Sequence, residues 1–288
     1  MRSLLFVPAD SERKLAKAAG AHADALILDL EDSVAPERKP VARGLAAEYL
    51  QRGAAADTWI RINDRGSGEL LRDLAAVVPA RPAGIVLPKI LAAADIEAVS
   101  HYLDALEVAH GITPGSIAML VLVTETPAAL LRMQQLLDLD CPRLRALAWG
   151  AEDLSVALGA GDPRSADGGW RSPYEHARIQ CLLAAHALSL AAIDTVYVDF
   201  RDGDGLARAC AASRHDGFTG RLAIHPDQVP IINAAYTATA DERALAQRIV
   251  DAFTAGAGTV SIDGKMYDLP HLKSARRLLR FSSKESDA

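Results

Sequence analysis

Charged and polar side chains recur directly after short apolar runs, and their types limit the chemistry they can support. Asp29, Glu31 and Asp32 follow Leu26-Ile27-Leu28; Arg61 and Asn63 close a third run; Lys89 follows a fourth, Glu125 a fifth, Glu152 and Asp153 a sixth, Asp199 a seventh and His225 an eighth. A helix cap or a solvated loop accounts for any one of these. Their repetition at the same point in successive runs suggests one shared mouth. Glu125 and Asp153 come from neighbouring runs and can offer two hard oxygen ligands with room for water and substrate, the usual way Mg²⁺ is held. No H-E-x-x-H motif and no Cys/His pair favours zinc. The sequence has no G-x-S-x-G elbow and no cysteine in a setting that makes it a nucleophile, which disfavours acyl-enzyme chemistry. Lys89 is a Schiff-base candidate by position, but the nearby acids Asp29, Glu31 and Asp32 would keep it protonated, so it reads as an ion-pair residue. His225, followed by Pro226, reads as a histidine closing the sheet and hydrogen-bonded inside it rather than as a reacting group.

The apolar runs that carry these residues are 3–8, 25–29, 59–63, 84–88, 118–124, 146–149, 195–199 and 222–225. Several are apolar at consecutive positions, as strands covered on both faces are. Between them lie helical patterns, among them 11–19 with Ser11 as cap, and 92–109 with Ile96, Val99, Leu103 and Leu106 on one face. Eight such strand-helix units predict an α/β fold of the TIM (β/α)8 barrel type; the pattern alone leaves an open eight-stranded sheet as the alternative. Neither G-x-G-x-x-G after the first strand nor a P-loop is present, which counts against dinucleotide and nucleotide sites. The barrel is assigned to residues 1–236 and a C-terminal extension to 237–288. The extension is read as a helix over 241–255, a hairpin turning at Asp263-Gly264, a basic helix near 274–279 and a polar, frayed end from Ser282.

The 288 residues are half hydrophobic, only 5% aromatic, and carry a net charge of −6 without a basic stripe, which argues against nucleic acid as a partner. The first apolar run is cut short by Pro8 and Asp10, so it is read as a buried strand rather than a signal or membrane segment. Cys141, Cys181 and Cys210 are odd in number and widely spaced, which fits reduced thiols in the cytoplasm.

Taken in order, Arg2-Ser3-Leu4-Leu5-Phe6-Val7-Pro8, Leu28-Asp29-Leu30-Glu31-Asp32, Arg61-Ile62-Asn63, Leu87-Pro88-Lys89, Glu125-Thr126-Pro127, Gly150-Ala151-Glu152-Asp153-Leu154, Ile224-His225-Pro226-Asp227-Gln228 and Asp263-Gly264-Lys265-Met266-Tyr267-Asp268 resemble the citrate lyase β-subunit-like branch of the HpcH/HpaI aldolase superfamily. The resemblance runs nearly end to end. It implies a TIM barrel in a trimer or hexamer, with Mg²⁺ on Glu125 and Asp153. It further implies that Arg61 holds the acyl oxygen or carboxylate, and that Asp268 serves as an acid/base delivered from a neighbouring subunit. Lys17, with Arg13 or Lys14, would touch the phosphates of coenzyme A, although a plain solvated helix face accounts for them too. Asp29, Glu31, Asp32, Lys89 and His225 would support this inner set. The implied activity is Mg²⁺-dependent carbon-carbon lysis of a short 3-hydroxyacyl-CoA thioester such as citramalyl-, malyl- or citryl-CoA. A malyl-CoA-type thioesterase, a non-catalytic subunit of a citrate-lyase-like complex and a CoA-independent pyruvate aldolase stay open. Departures from the family pattern are Ala9 where glycine is usual, His176-Ala177-Arg178 in place of Tyr-Ala-Arg, and the Gly168-Gly169-Trp170 stretch. They fall where acyl and CoA groups would be told apart.

Overall fold

Runs such as Ala25-Leu26-Ile27-Leu28-Asp29, buried at every position, behave as strands of a parallel sheet with helices outside and side chains inside. The computed structural model describes residues 1–53, 57–166, 168–253 and 258–283, the last four as backbone. Strands β1 (Ser3–Pro8), β2 (Ala25–Asp29), β3 (Asp57–Arg61), β4 (Gly84–Leu87), β5 (Ala118–Leu122), β6 (Leu144–Ala148), β7 (Ala191–Asp194) and β8 (Gly220–Ala223) close in sequence order into a barrel. Every neighbouring pair is parallel, including β1 with β8. The crossovers carry α1 (Glu12–Ala18), α2 (Lys39–Gln51), α3 (Leu70–Val77), α4 (Ala93–Ala109), α5 (Pro127–Leu131), α6 (Ala151–Leu158), α7 (Ser172–Ala187) and α8 (Gly203–Asp216); α9 (Gln228–Tyr236) follows β8. The fold is the TIM barrel, and the open-sheet alternative falls away. Among the described residues no helix is long and apolar enough to cross a membrane. Cys141, Cys181 and Cys210 are free thiols.

The barrel interior is filled from alternate strand positions by Leu4, Ala25, Ile27, Trp59, Val86, Leu120, Leu122, Ala146, Ala148, Ile193 and Leu222. Trp59 is by far the largest of these, and the space for it comes from Gly84 across the β3/β4 ladder, where any Cβ would stand inside the indole ring. At the amino-terminal side, Arg143 is buried against Glu107 at 2.8 Å, while Glu107 also accepts from the main-chain nitrogens of Gly115 and Ile117. This cluster ties the end of α4 to the entries of β5 and β6.

One strand is displaced from its sequence prediction. Thr195-Val196-Tyr197-Val198-Asp199 has the β-branched and aromatic composition of a strand, yet β7 is Ala191–Asp194, and Val198 and Phe200 are exposed beyond it. Pairing with β6 and the need for small residues inside the barrel override propensity here. The acid at the end of the seventh strand is therefore Asp194, not Asp199. Strands β3, β4, β5, β6 and β8 also end one or two residues earlier than predicted.

The chain separates into two compact units, 1–233 and 234–288. The second holds α10 (Ala240–Ala252), an antiparallel hairpin of β9 (Thr259–Ile262) and β10 (Lys265–Asp268), and α11 (Leu269–Ser283). Asp263 and Gly264 have φ of 51° and 76°, the left-handed pair of a type I′ turn, as the Asp-Gly signal predicts. Ala246, Ile249, Phe253, Ile262, Leu272 and Ala275 form its own small core. Helix α11 is longer than the stretch predicted near 274–279. Ala255, where the preceding helix was expected to end, and the polar end beyond Ser283 lie outside the described residues.

Gly84→Val should overpack the barrel against Trp59 and lower stability by about 1–3 kcal/mol. Urea denaturation reads this directly, and an unchanged midpoint would show that the indole can move aside.

Candidate active site

The register of β2 against β3 places Asp29 opposite Arg61, both continuing the inward-facing series of Ile27 and Trp59 at the carboxyl-terminal mouth. Their side chains meet in a two-pronged bond: Arg61 Nε donates to Asp29 Oδ1 and Nη2 to Oδ2, each at 2.7 Å. Arg61 Nη1 lies 2.9 Å from Glu31 Oε2, and its guanidinium stacks 4.7 Å from the Phe6 ring centroid. Asp29 also accepts from the main-chain nitrogens of Glu31 and Ser33, which shapes the loop after β2. Burial pushes the Asp29 carboxyl upward, but the charge and hydrogen bonds of Arg61 outweigh it and hold Asp29 below the usual carboxylate range. Arg61, despite its own burial, is held protonated by Asp29 and Glu31.

Beside this clamp four more groups crowd together. Lys89 Nζ lies 2.8 Å from Glu31 Oε1, 2.6 Å from Asp32 Oδ2 and 3.4 Å from Asp153 Oδ1, and the Lys89 main-chain nitrogen donates to Glu125 Oε2 at 2.6 Å. Asp29, which the sequence placed near Lys89, is instead taken by Arg61. Burial raises the Glu31 carboxyl to about 7, even though Arg61 and Lys89 oppose the rise. Neither Glu31 oxygen is aligned for a hydrogen bond, so its contacts are those of an ion pair. Glu125 is raised well above its ordinary value, first by burial and then by the charges of Asp153 and Glu31. Gly150 makes room for it, since a Cβ there would stand 3.0 Å from Glu125 Cγ.

This donor set suits a hard divalent cation. Glu125 and Asp153 are close enough to repel each other, and their carboxylates share a region already crowded with acids, a situation a dication relieves. Among the described residues no group of three or more His, Cys, Asp or Glu forms a closed metal cage. Two carboxylates with the remaining positions left to water and substrate are the Mg²⁺ arrangement.

The other expected residues are dispersed. Lys17 and Arg13 are exposed on α1. Asp268 lies in the second unit at the end of β10, 42% exposed, where His271 Nδ1 contacts Oδ1 at 2.5 Å; that bond keeps Asp268 below the usual carboxylate range. His225 is not hydrogen-bonded inside the barrel. It is half-buried, stacks on Phe200 with ring centroids 4.7 Å apart, and its Nδ1 accepts from the Asp227 nitrogen. Gln228 takes the role expected of it, accepting from the nitrogens of Ile224 and His225 and donating to the Tyr197 carbonyl. Asp194 faces outward, bound by Arg221 and by Trp149 Nε1, so the seventh strand sends no acid into the mouth. Of the triplet His176-Ala177-Arg178, Arg178 is buried on Asp216 at 2.7 Å and His176 is exposed. His186 contacts the Gly217 carbonyl through Nε2. Lys39 was missed altogether: its ammonium reaches back from α2 to the carbonyls of Leu30 and Glu31 and to Asn63 Oδ1, pinning the β2 loop. Nothing in its local sequence distinguishes it from a solvated lysine.

Residues 2–226 match the family described as HpcH/HpaI aldolase/citrate lyase. The chain belongs to this family. Among HpcH/HpaI relatives, it is 34% identical to a (3S)-malyl-CoA thioesterase of Cereibacter sphaeroides (strain KD131), across 96% of this chain and 93% of that one. It is 30% identical to the mitochondrial citramalyl-CoA lyase of Rattus norvegicus, across 98% and 86%. A crystal structure of CitE from Mycobacterium tuberculosis, in complex with magnesium, acetoacetate and coenzyme A, superposes with a TM-score of 0.80 at 33% identity and 98% coverage of both chains.

Asp29→Asn should leave the Arg61 charge poorly compensated and cost about 3 kcal/mol at neutral pH. Because the folded pKa of Asp29 is depressed, its contribution is fully present above the unfolded value of about 3.9 and is lost as pH falls through the folded value. Denaturation of wild type and variant should therefore differ at pH 7 and converge below that value. A constant difference across pH would show that geometry rather than charge links the pair.

Proposed function

We propose that this HpcH/HpaI family member is a Mg²⁺-dependent carbon-carbon lyase. It would cleave or form a short 3-hydroxyacyl-CoA ester of the citramalyl-, malyl- or citryl-CoA type, giving an acyl-CoA and a 2-keto acid. The observation that carries this reading is that Lys89 reaches buried Glu125 through its main-chain nitrogen and Asp153 through its ammonium, beside the clamped Arg61 at the barrel mouth. Glu125 and Asp153 would hold Mg²⁺, which when bound supplies Lewis acidity to the hydroxy-acid end of the substrate.

In the cleavage direction the Asp268 carboxylate would take the hydroxyl proton, the bond between the carbinol carbon and the α-carbon would break, and the electron pair would pass into the thioester enolate. Arg61, held in place by Asp29 and Glu31, would stabilise the enolate oxygen as charge develops there. Asp268 would return a proton to the α-carbon; in condensation, its low-pKa carboxylate form is the one that accepts that proton. Lys17 and Arg13 would meet the CoA phosphates. Residues 237–288 would act as a lid packing on the neighbouring subunit of a homotrimer or hexamer, so that Asp268 serves a partner's barrel. The free thiols support a reducing, cytoplasmic location. The thioesterase reading is kept alive by the Cereibacter sphaeroides relative, for the same enolisable thioester could be hydrolysed instead.

Incubation with malyl-, citramalyl- and citryl-CoA, with and without Mg²⁺, should release keto acid only with the metal. Free CoA without keto acid would establish the thioesterase, and silence on all three would favour the subunit reading. Asp268→Asn should lower kcat by about 10²–10⁴-fold while Mg²⁺ still binds. Mixed assemblies of Asp268→Asn and Glu125→Gln chains should regain activity absent from either alone, because some sites then combine an intact metal pair with an intact Asp268. No recovery would place Asp268 within its own subunit's site or outside the reaction.

A further inference from the structure

Lys89 does two things that its position after β4 would not ordinarily allow. Its φ is +49°, a region that L-residues with long side chains seldom enter, and no tight hairpin turn requires it here. The consequence is that its main-chain N–H and its ammonium serve the same cluster. The N–H donates to Glu125 Oε2 at 2.6 Å, and Nζ stands 3.4 Å from Asp153 Oδ1. These are the two carboxylates to which the proposed function gives the metal. Nζ has closer anchors behind it in Glu31 and Asp32, at 2.8 and 2.6 Å.

We propose that Lys89 is a built-in counter-cation that shares Asp153 with the divalent ion and so sets the metal affinity of the site by competition. The inference rests on the reading of Glu125 and Asp153 as the metal pair. An ammonium and a dication on one carboxylate repel each other, so each weakens the other's hold. Glu31 and Asp32 give the ammonium a place to remain when the metal takes Asp153. Lys89 therefore keeps the acids from collapsing apart and also keeps the metal exchangeable. It is a positioning residue, and its effect is on binding rather than on the reacting atoms.

The test is Mn²⁺ binding to the full-length protein, followed by the electron paramagnetic resonance of free Mn²⁺, with the metal-induced rise in Tm as a second readout. Lys89→Met should bind Mn²⁺ at least about threefold more tightly than wild type and show the larger Tm rise, while Lys89→Arg stays near wild type. Should the methionine variant not purify, Lys89→Gln tests the same loss of charge with a polar side chain of similar length. Binding by the neutral variants that equals or falls below wild type overturns the proposal, provided Asp153→Asn abolishes saturable binding. Saturable binding that survives Asp153→Asn, or is absent from wild type, overturns the metal-pair reading itself and the proposal with it.

Discussion

Charge balance at the mouth of the barrel governs this structure. Asp29, Glu31, Asp32, Glu125 and Asp153 converge where β2, β5 and β6 end; Arg61 and Lys89 pair with the carboxylates of all but Glu125, which accepts from the Lys89 main-chain nitrogen. Away from bulk water such crowding is costly unless each acid is paired or protonated. The acids respond differently. Asp29 is fully satisfied by Arg61 and two main-chain donors and stays ionised, whereas Glu31 and Glu125 are pushed upward. That separation divides the site into a rigid half, built on the Asp29 clamp, and a half in which acids gather around the single ammonium of Lys89.

The scaffold explains why the rigid half holds its geometry. Asp29 and Arg61 are partners in the parallel register of β2 and β3, so their pairing follows from the ladder rather than from loop conformation. Phe6 packs the guanidinium from β1, and Lys39 ties the following loop down from α2. The other half lies beyond the strand ends, with Lys89 in a left-handed loop conformation and Asp153 in the first turn of α6.

Much of this was legible in the sequence because it follows from period and position. Consecutive apolar residues in β2 and β5 marked buried parallel strands, and the charged residues just after them marked the mouth. The Asp263-Gly264 turn declared its hairpin. What escaped did so for physical reasons. Strand β7 is Ala-Ala-Ile-Asp, a sequence with little strand propensity, chosen by its neighbours and by space inside the barrel; the more strand-like segment after it leaves the sheet. His225 looked like an interior residue but rests on Phe200, a stacking partner that no spacing rule reveals. Lys39 and the left-handed backbone of Lys89 depend on long-range geometry, and the sequence around them carries no sign of either. The division of labour between Asp29 and Asp32, one for Arg61 and the other for Lys89, likewise needed side-chain directions.

Glu125 and Asp153 are the proposed cation site. Crystals of the full-length protein soaked in Mn²⁺ and measured for anomalous scattering test it most directly. One strong peak should appear at the barrel mouth within coordination distance of both carboxylates. A peak elsewhere, or none at saturating metal, would contradict it.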